Sequence, residues 1–319
     1  MNFTISAIDK EKYAVALLSV LSNSLLVALK LVVGLAMGSI SVISEAIHSG
    51  VDVLAAIVAV VGVKRSCEPA DSEHAFGHGK LENLSGLVQA VLIFVAAAWI
   101  IWEAVHKLIQ PAPIETLGIG VAVMLVSAVV NAVVARLLFR VGEKSDSIAL
   151  KADAWHCLTD VYASAGVMVG LGVVWAGKAW LPGMNLLWVD STTAILVALL
   201  IIKAAYDLTL ESLSDLLDVS LPLAEQDEIK NILKGNYPYV IGYHKFRSRK
   251  AGSTRFVEFH LLTDNKMSVG ESHNLHHMIE EQVKKRFPGA EMMIHIEPCT
   301  RTCAGLCVEN CFDPQVKQT

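Results

Sequence analysis

Apolar residues come in long, nearly unbroken runs up to about residue 210, and in short alternating runs after it. Six stretches, roughly 12–36, 39–63, 84–106, 115–140, 148–176 and 185–210, are each long enough to cross a hydrocarbon layer of about 30 Å as a helix. From about residue 211 the pattern changes. The segment 223–235 has helical periodicity and stops at Gly235. Two strand-like runs, 240–248 and 254–263, flank the turn-forming Lys250, Ala251, Gly252 and Ser253. A second helix is predicted over 269–286 and a third strand over 291–297. The order αββαβ predicts a small two-layer α+β domain, with both helices on one face of a mostly antiparallel sheet. The chain therefore divides into a six-helix transmembrane bundle at 1–210, an α+β domain at 211–298, and a patternless flexible tail at 299–319.

Composition supports a membrane protein with a soluble appendage. Of 319 residues, 54% are hydrophobic and 18% charged, against about a quarter charged in ordinary soluble domains. A net charge of −5 argues against a nucleic-acid partner. The first residues are polar and lead directly into a full-length span, so no cleavable signal is expected. Basic residues gather on alternate connections: Lys10 and Lys12 before the first span, Lys64, Arg65 and Lys80 after the second, and Arg136, Arg140, Lys144 and Lys151 around the fourth and fifth. The positive-inside rule then places both termini in the cytoplasm. Glycine and serine are frequent in the spans, which permits close helix approach.

Spans two and five repeat one polar pattern. Glu45, His48 and Asp52 share their spacing with Asp153, His156 and Asp160. Offsets of three and seven keep each trio on one helical stripe. Ionisable groups at membrane depth are expensive and mark function by default. His48, Asp52, His156 and Asp160 together offer two imidazoles and two carboxylates, a tetrahedral set suited to zinc. Helix-to-helix polar glue would not need the same spacing twice. Glu45 and Asp153 stand one turn earlier, where a carboxylate can orient a ligating imidazole or line an entry.

Other clusters lie outside the spans. The loop between spans two and three holds Asp71, His74 and His78 without an obvious fourth ligand. In the soluble domain, His244 and His260 fall on the first two strands, and His295 and Glu297 share one face of the third. His273, His276 and His277 crowd the start of the second helix, where His276 reads as an ordinary surface residue. Cys299, Cys303, Cys307 and Cys311 recur every fourth residue, a spacing open to a soft-metal site, one side of an induced helix, or a redox function. In a reducing cytosol the six cysteines are expected as thiols.

The motifs HSGVD, HCLTD and PADSEHAFGHGKLEN, with GYHKFRSR, RFVEFHLL and FPGAEMMIHIEPC, resemble the cation diffusion facilitator family over residues 10–299. The resemblance implies a homodimer with six helices per protomer, a cytoplasmic metallochaperone-like domain, and exchange of a divalent metal for protons. It implies a transport site at His48, Asp52, His156 and Asp160, and a loop site at Asp71, His74 and His78. It further implies cytoplasmic sites at His244, His260, His273, His295 and Glu297. The chain departs from several bacterial members in carrying His rather than Asp at position 48, and from many in Glu at 297 and in its cysteine tail.

Protons compete with metal for the same imidazoles and carboxylates, so metal release can be coupled to proton uptake. His48 and His156 are the expected proton carriers. The substrate expected is Zn²⁺, carried across a bacterial plasma membrane, with Zn²⁺ also bound in the cytoplasmic domain. Rival readings are transport of cadmium, cobalt, iron or manganese, and a membrane-bound metal sensor. No HExxH motif is present, and no enzymatic activity is expected.

Overall fold

The computed structural model describes residues 7–37, 40–109, 119–180, 187–299 and 310–313. The chain separates into two compact units, Met1–Leu213 and Ser214–Thr319.

The first unit contains six long helices: α1 (Ala7–Met37), α2 (Ile40–Ser66), α3 (Lys80–Ile109), α4 (Ile119–Ser145), α5 (Ile148–Trp180) and α6 (Leu187–Leu216). Among the described residues, four segments are long and apolar enough to cross a membrane: Ala7–Ala36, Lys80–Ile109, Ala122–Ser145 and Ser191–Leu216. Helices α2 and α5 are outside that set, and these two carry the acid–histidine stripes. Large apolar side chains such as Leu25, Val32, Trp99, Trp102 and Leu200 point outward from α1, α3 and α6. A surface so apolar suits lipid and not water. The first unit is therefore membrane-embedded.

Helix α5 is the centre of this unit. Its first turns are buried all round, with Ala149, Leu150, Ala152 and Ala154 fully enclosed. One side packs with Val134, Leu138 and Val141 of α4 and Ala16 of α1. The other packs with Ala90 and Ile93 of α3 and Ile201 and Ala205 of α6. Small side chains allow this close approach. The same device joins α2 to α3, where a Cβ on Gly62 would come within 2.4 Å of Ser85 Cβ.

A buried polar hub escaped the sequence reading. Lys12 donates to Glu82 Oε2 at 3.1 Å, with both side chains almost wholly enclosed. Ser66 donates to the same oxygen at 3.4 Å, and Ser147 donates to Glu82 Oε1. One carboxylate thus ties α1, α2 and α3 to the residue that opens α5. Lys12, placed above among the basic residues before the first span, is in fact sequestered. The helix begins at residue 7, so Lys12 lies on its inner face and not on a flanking segment.

The second unit runs α7 (Leu223–Gly235), β1 (Gly242–Ala251), β2 (Thr254–Thr263), α8 (Val269–Arg286) and β3 (Glu291–Pro298), the predicted αββαβ order. The sheet order is β1-β2-β3. β1 and β2 form an antiparallel hairpin, but β3 runs parallel to β2, so the sheet is mixed and not mostly antiparallel. The reason is the intervening α8. A helix running back along the sheet returns the chain to the starting edge, and the next strand then points the same way. Ile229 and Leu233 of α7 and Leu275, Ile279 and Val283 of α8 cover Val257, Phe259 and Leu261 of β2. A capping box between Ser268 and Glu271 starts α8.

The tail is partly ordered, contrary to the expectation of a free segment after 298. Cys311 bridges antiparallel to Gly242, and Phe312 N–H donates to Ile241 O at 2.7 Å. The tail thereby covers the start of edge strand β1, which would otherwise present unpaired backbone groups. Only glycine fits at 242, because a Cβ there would approach Asn310 O to 2.8 Å. Cys299 and Cys311 are thiols packed with Ile241 and Leu262, acting as small apolar residues. Cys303 and Cys307 lie outside the described residues.

Candidate metal centres

Three clusters of metal-type side chains take shape, at three depths of burial. The deepest lies between α2 and α5. His156 Nε2 donates to Asp52 Oδ1 at 3.1 Å across the two helices, and both groups are buried. This contact brings together the two stripes that sequence spacing had picked out. Asp160, one turn beyond His156, accepts from Asn131 Nδ2 of α4 at 2.9 Å. Asn131 was not foreseen, since a lone Asn in an apolar run has no periodic signal. The side chains of His48 and Glu45 lie outside the described residues, although their backbone belongs to α2.

Nδ1 of the buried His156 has no hydrogen-bond partner among the described residues. Buried polar atoms are normally satisfied, and exceptions ask for an explanation. A cation or water held there would supply the missing partner. The donor set thus fits a divalent cargo.

The second cluster is the turn after α2. Asp71 Oδ1 accepts the backbone N–H of Glu73 at 2.9 Å and of His74 at 2.6 Å, closing a tight turn. The His74 bond, against an opposing effect of burial and with help from the Glu73 bond, holds the Asp71 carboxyl below its usual pKa. Gly77 completes the turn at φ +78°, a left-handed conformation that suits glycine. His78 Nδ1 faces Pro69 O at 3.2 Å, and its Nε2 lies 3.3 Å from Asp71 Oδ2. A carbonyl and a carboxylate both only accept, so each contact calls for an N–H on the ring, and a cation at Nε2 would take the place of the proton that faces Asp71. His74 Nδ1 lies 3.4 Å from Asp71 Oδ1, and the two imidazoles are 4.3 Å apart. Ligand atoms of Asp71, His74 and His78 all fall within 4.8 Å of one another.

The third cluster sits on the sheet face opposite α7 and α8. Register aligns His244 with His260, and His260 with His295, across three strands. A β-bulge between His244 and Arg247 accommodates one extra residue, with Lys245 at φ +51°. It lets His244 point to the metal face while Phe246 still packs on the core. Glu297 accepts from His260 Nδ1 at 2.7 Å and from His244 Nε2 at 3.0 Å. Burial opposes ionisation of Glu297, but His260 and then His244 outweigh it and lower its pKa. His244, His260 and Glu297 form a second group with ligand atoms within 4.8 Å. His295 Nε2 is 3.4 Å from Glu297 Oε1 at the rim.

His273 does not join this face. It lies on α8, where its ring meets His277 and not the strand histidines. The cause is layering: α8 packs on the core face of the sheet, and His260 points from the other.

Membrane-embedded helices with a buried acid–histidine contact, joined to a soluble domain with its own metal-type cluster, define a metal-handling membrane protein. A cation efflux transmembrane domain matches residues 16–217, and the cytoplasmic domain of cation efflux proteins matches residues 221–299. The chain belongs to the cation diffusion facilitator family. It is 32% identical over 285 residues to the cation-efflux pump FieF of Citrobacter koseri, covering 89% of this chain and 92% of that one. It is 34% identical over 261 residues to an uncharacterised transporter of Synechocystis, covering 82% of each. The metal-bound C-terminal domain of the CzcD transporter from Thermotoga maritima shares 31% identity, over 24% of this chain and 94% of that one, with a TM-score of 0.22. The chain is thus an integral membrane protein of a divalent-metal efflux family, with a cytoplasmic domain at its C-terminal end.

Proposed function

We propose that this protein exports zinc from the cytoplasm in exchange for protons, as a homodimer with six membrane crossings per protomer. Both termini face the cytoplasm of a bacterial cell, and the membrane is the plasma membrane. The observation that carries this reading is the buried His156–Asp52 contact between α2 and α5, at 3.1 Å.

His48, Asp52, His156 and Asp160 hold the transported ion. Two carboxylates cancel its charge, and two imidazoles bias the site toward zinc over hard cations such as magnesium. Metal needs the unprotonated nitrogen of His156, and a proton on that nitrogen restores the bond to Asp52. The His156–Asp52 pair is then the proton-loaded form of the site, and metal and proton exclude each other by chemistry. Asn131 holds Asp160 from α4, so a change of α4 against α5 would alter the ligand set. That is the kind of coupling an alternating-access cycle requires.

Asp71, His74 and His78 form a collecting site at the membrane margin. His244, His260 and Glu297, with His295 at the rim, hold a cation in the cytoplasmic domain. A bound ion there would neutralise Glu297 and cross-link the three strands. The similarity to FieF, a cation-efflux pump, supports efflux as the direction.

The test is zinc flux into proteoliposomes under an imposed pH difference, with internal pH followed in parallel. Zinc-dependent proton movement in the wild type and none in Asp52→Ala is the expected result. Zinc binding without any flux would favour a metal sensor and defeat the proposal. Unchanged zinc preference in His48→Asp would contradict the ligand argument for selectivity.

A further inference from the structure

Helix α1 turns one stripe inward: Ser19, Asn23, Leu26 and Lys30 are buried, whereas Leu25, Leu29 and Val32 face outward. Steps of three and four residues keep the buried set on one helical face. Lys30 lies about 27 Å further along the helix than Lys12, at about 1.5 Å per residue. A lysine in a span commonly runs its stem along apolar surface and lifts its ammonium to the interface. This one turns inward. Its Nζ donates to Ser49 Oγ of α2 at 2.7 Å, and both residues are buried.

Ser49 stands on the acid stripe of α2, four residues after Glu45 and three before Asp52. Residues at those spacings are neighbours on a helix, about 5–6 Å apart at Cβ. The ammonium is thus one serine away from Asp52, whose carboxylate meets His156. A hydroxyl accepts the hydrogen bond but brings no charge to offset the ammonium. If the contact served only to join α1 to α2, a neutral donor would do so without the cost of an ion at membrane depth. The charge itself therefore has a use, and the acids of this stripe are its natural counterpart.

We propose that Lys30 is a tethered counter-cation of the transport site, balancing the acid stripe of α2 when metal is absent and opposing the ion when it is present. The inference rests on the reading of His48, Asp52, His156 and Asp160 as that site. Two carboxylates and one divalent ion make a neutral set, so the added ammonium leaves a metal-loaded site with surplus positive charge. Like charges this close inside a low-dielectric bundle repel strongly. Lys30 thereby holds the affinity below what the four ligands alone would give, and an ion that must be released on the far side leaves faster. The device is a fixed charge and takes no part in proton exchange.

The test is zinc titration of the full-length protein in detergent, paired with zinc flux in proteoliposomes. Lys30→Gln keeps a donor for Ser49 and removes only the charge. The zinc that Asp52→Ala abolishes should bind about tenfold tighter in Lys30→Gln. KM for flux should fall with it, and kcat should fall as release slows. Lys30→Arg should restore both constants towards wild type, and Lys30→Met should match Lys30→Gln. Wild-type or weaker affinity for the Asp52-dependent zinc in Lys30→Gln would overturn the proposal. A fall in kcat at unchanged KM and affinity would reduce Lys30 to a structural tie and overturn it equally. Failure of the transport reading looks different: the wild type then holds no zinc that Asp52→Ala removes, and both proposals fall together.

Discussion

The helix-bundle site and the sheet site use the same two side-chain types in opposite surroundings. Asp52 and His156 are sealed between α2 and α5. Glu297, His244 and His260 are each about a quarter exposed. Removing charge from water is costly, so the sealed pair must always hold something, either a proton or a cation. The sheet cluster can stay solvated and wait. In the proposed cycle, burial makes the first site an exchanger and the second a receptor. The hub of Lys12 and Glu82 shows the third possibility, in which a sealed charge is met permanently by another side chain.

The sharpest way to break this contrast is at Asp52. Asp52→Ala should abolish zinc-driven proton flux, a loss of at least about a hundredfold, while leaving zinc binding by the cytoplasmic domain intact. Flux assays paired with calorimetry on the same preparation check both halves. The exchanger reading fails if flux persists.

Next in size is the hub. Glu82→Ala leaves the Lys12 ammonium buried without its partner and should cost about 3–5 kcal/mol. Thermal unfolding in detergent measures it. Lys12→Met combined with Glu82→Leu should recover most of the loss, because an apolar pair carries no desolvation penalty. A permanently paired charge is structural, so flux per folded molecule should survive in the double variant.

A smaller effect is expected at Glu297. Its pKa is lowered in the fold by His260 and His244. Its ionised form therefore contributes stability above its unfolded pKa, and that contribution is lost as pH falls through the lower, folded value. The metal-free Glu297→Gln variant should accordingly be less stable than the wild type above the ordinary carboxylate range, about pH 4, and the difference should shrink as pH falls below it. Equal stability of the two proteins at neutral pH, with a difference appearing only in acid, would contradict the sign. Zinc affinity of the sheet site should fall about tenfold or more in the same variant, read by titration.

The smallest effect belongs to the loop. Gly77→Ala forces a Cβ into φ +78° and should cost about 1 kcal/mol locally. Zinc binding at Asp71, His74 and His78 should weaken severalfold, with no change at the sheet site. Parallel titrations would expose any coupling between the two.

Reading the chain alone went furthest where local pattern carries the information. The long apolar runs, the αββαβ order and the acid–histidine stripes of α2 and α5 all follow from periodicity, which a one-dimensional string records directly. The pairing of His244 with His260 and His295 was half visible. Alternation put each on a strand face, but the bulge after His244 and the parallel course of β3 depend on what packs behind the sheet. Asn131 opposite Asp160 and the Lys12–Glu82 hub were invisible, because each joins residues far apart in sequence through helix packing. The same holds for the tail, whose contact with Gly242 comes from an exposed edge strand needing a partner.

What the sequence determined by itself is therefore the inventory: which segments are apolar, which residue types stand at helical or strand spacing, and that charges occur where lipid would not tolerate them. The tertiary structure decided their partners. It sent His156 to Asp52, Lys12 to Glu82, and His273 to His277 instead of to the sheet. The reason is physical: periodicity is a property of backbone geometry and can be read locally, whereas the partner of a buried charge is chosen by packing, where desolvation sets the cost and only three-dimensional proximity can meet it.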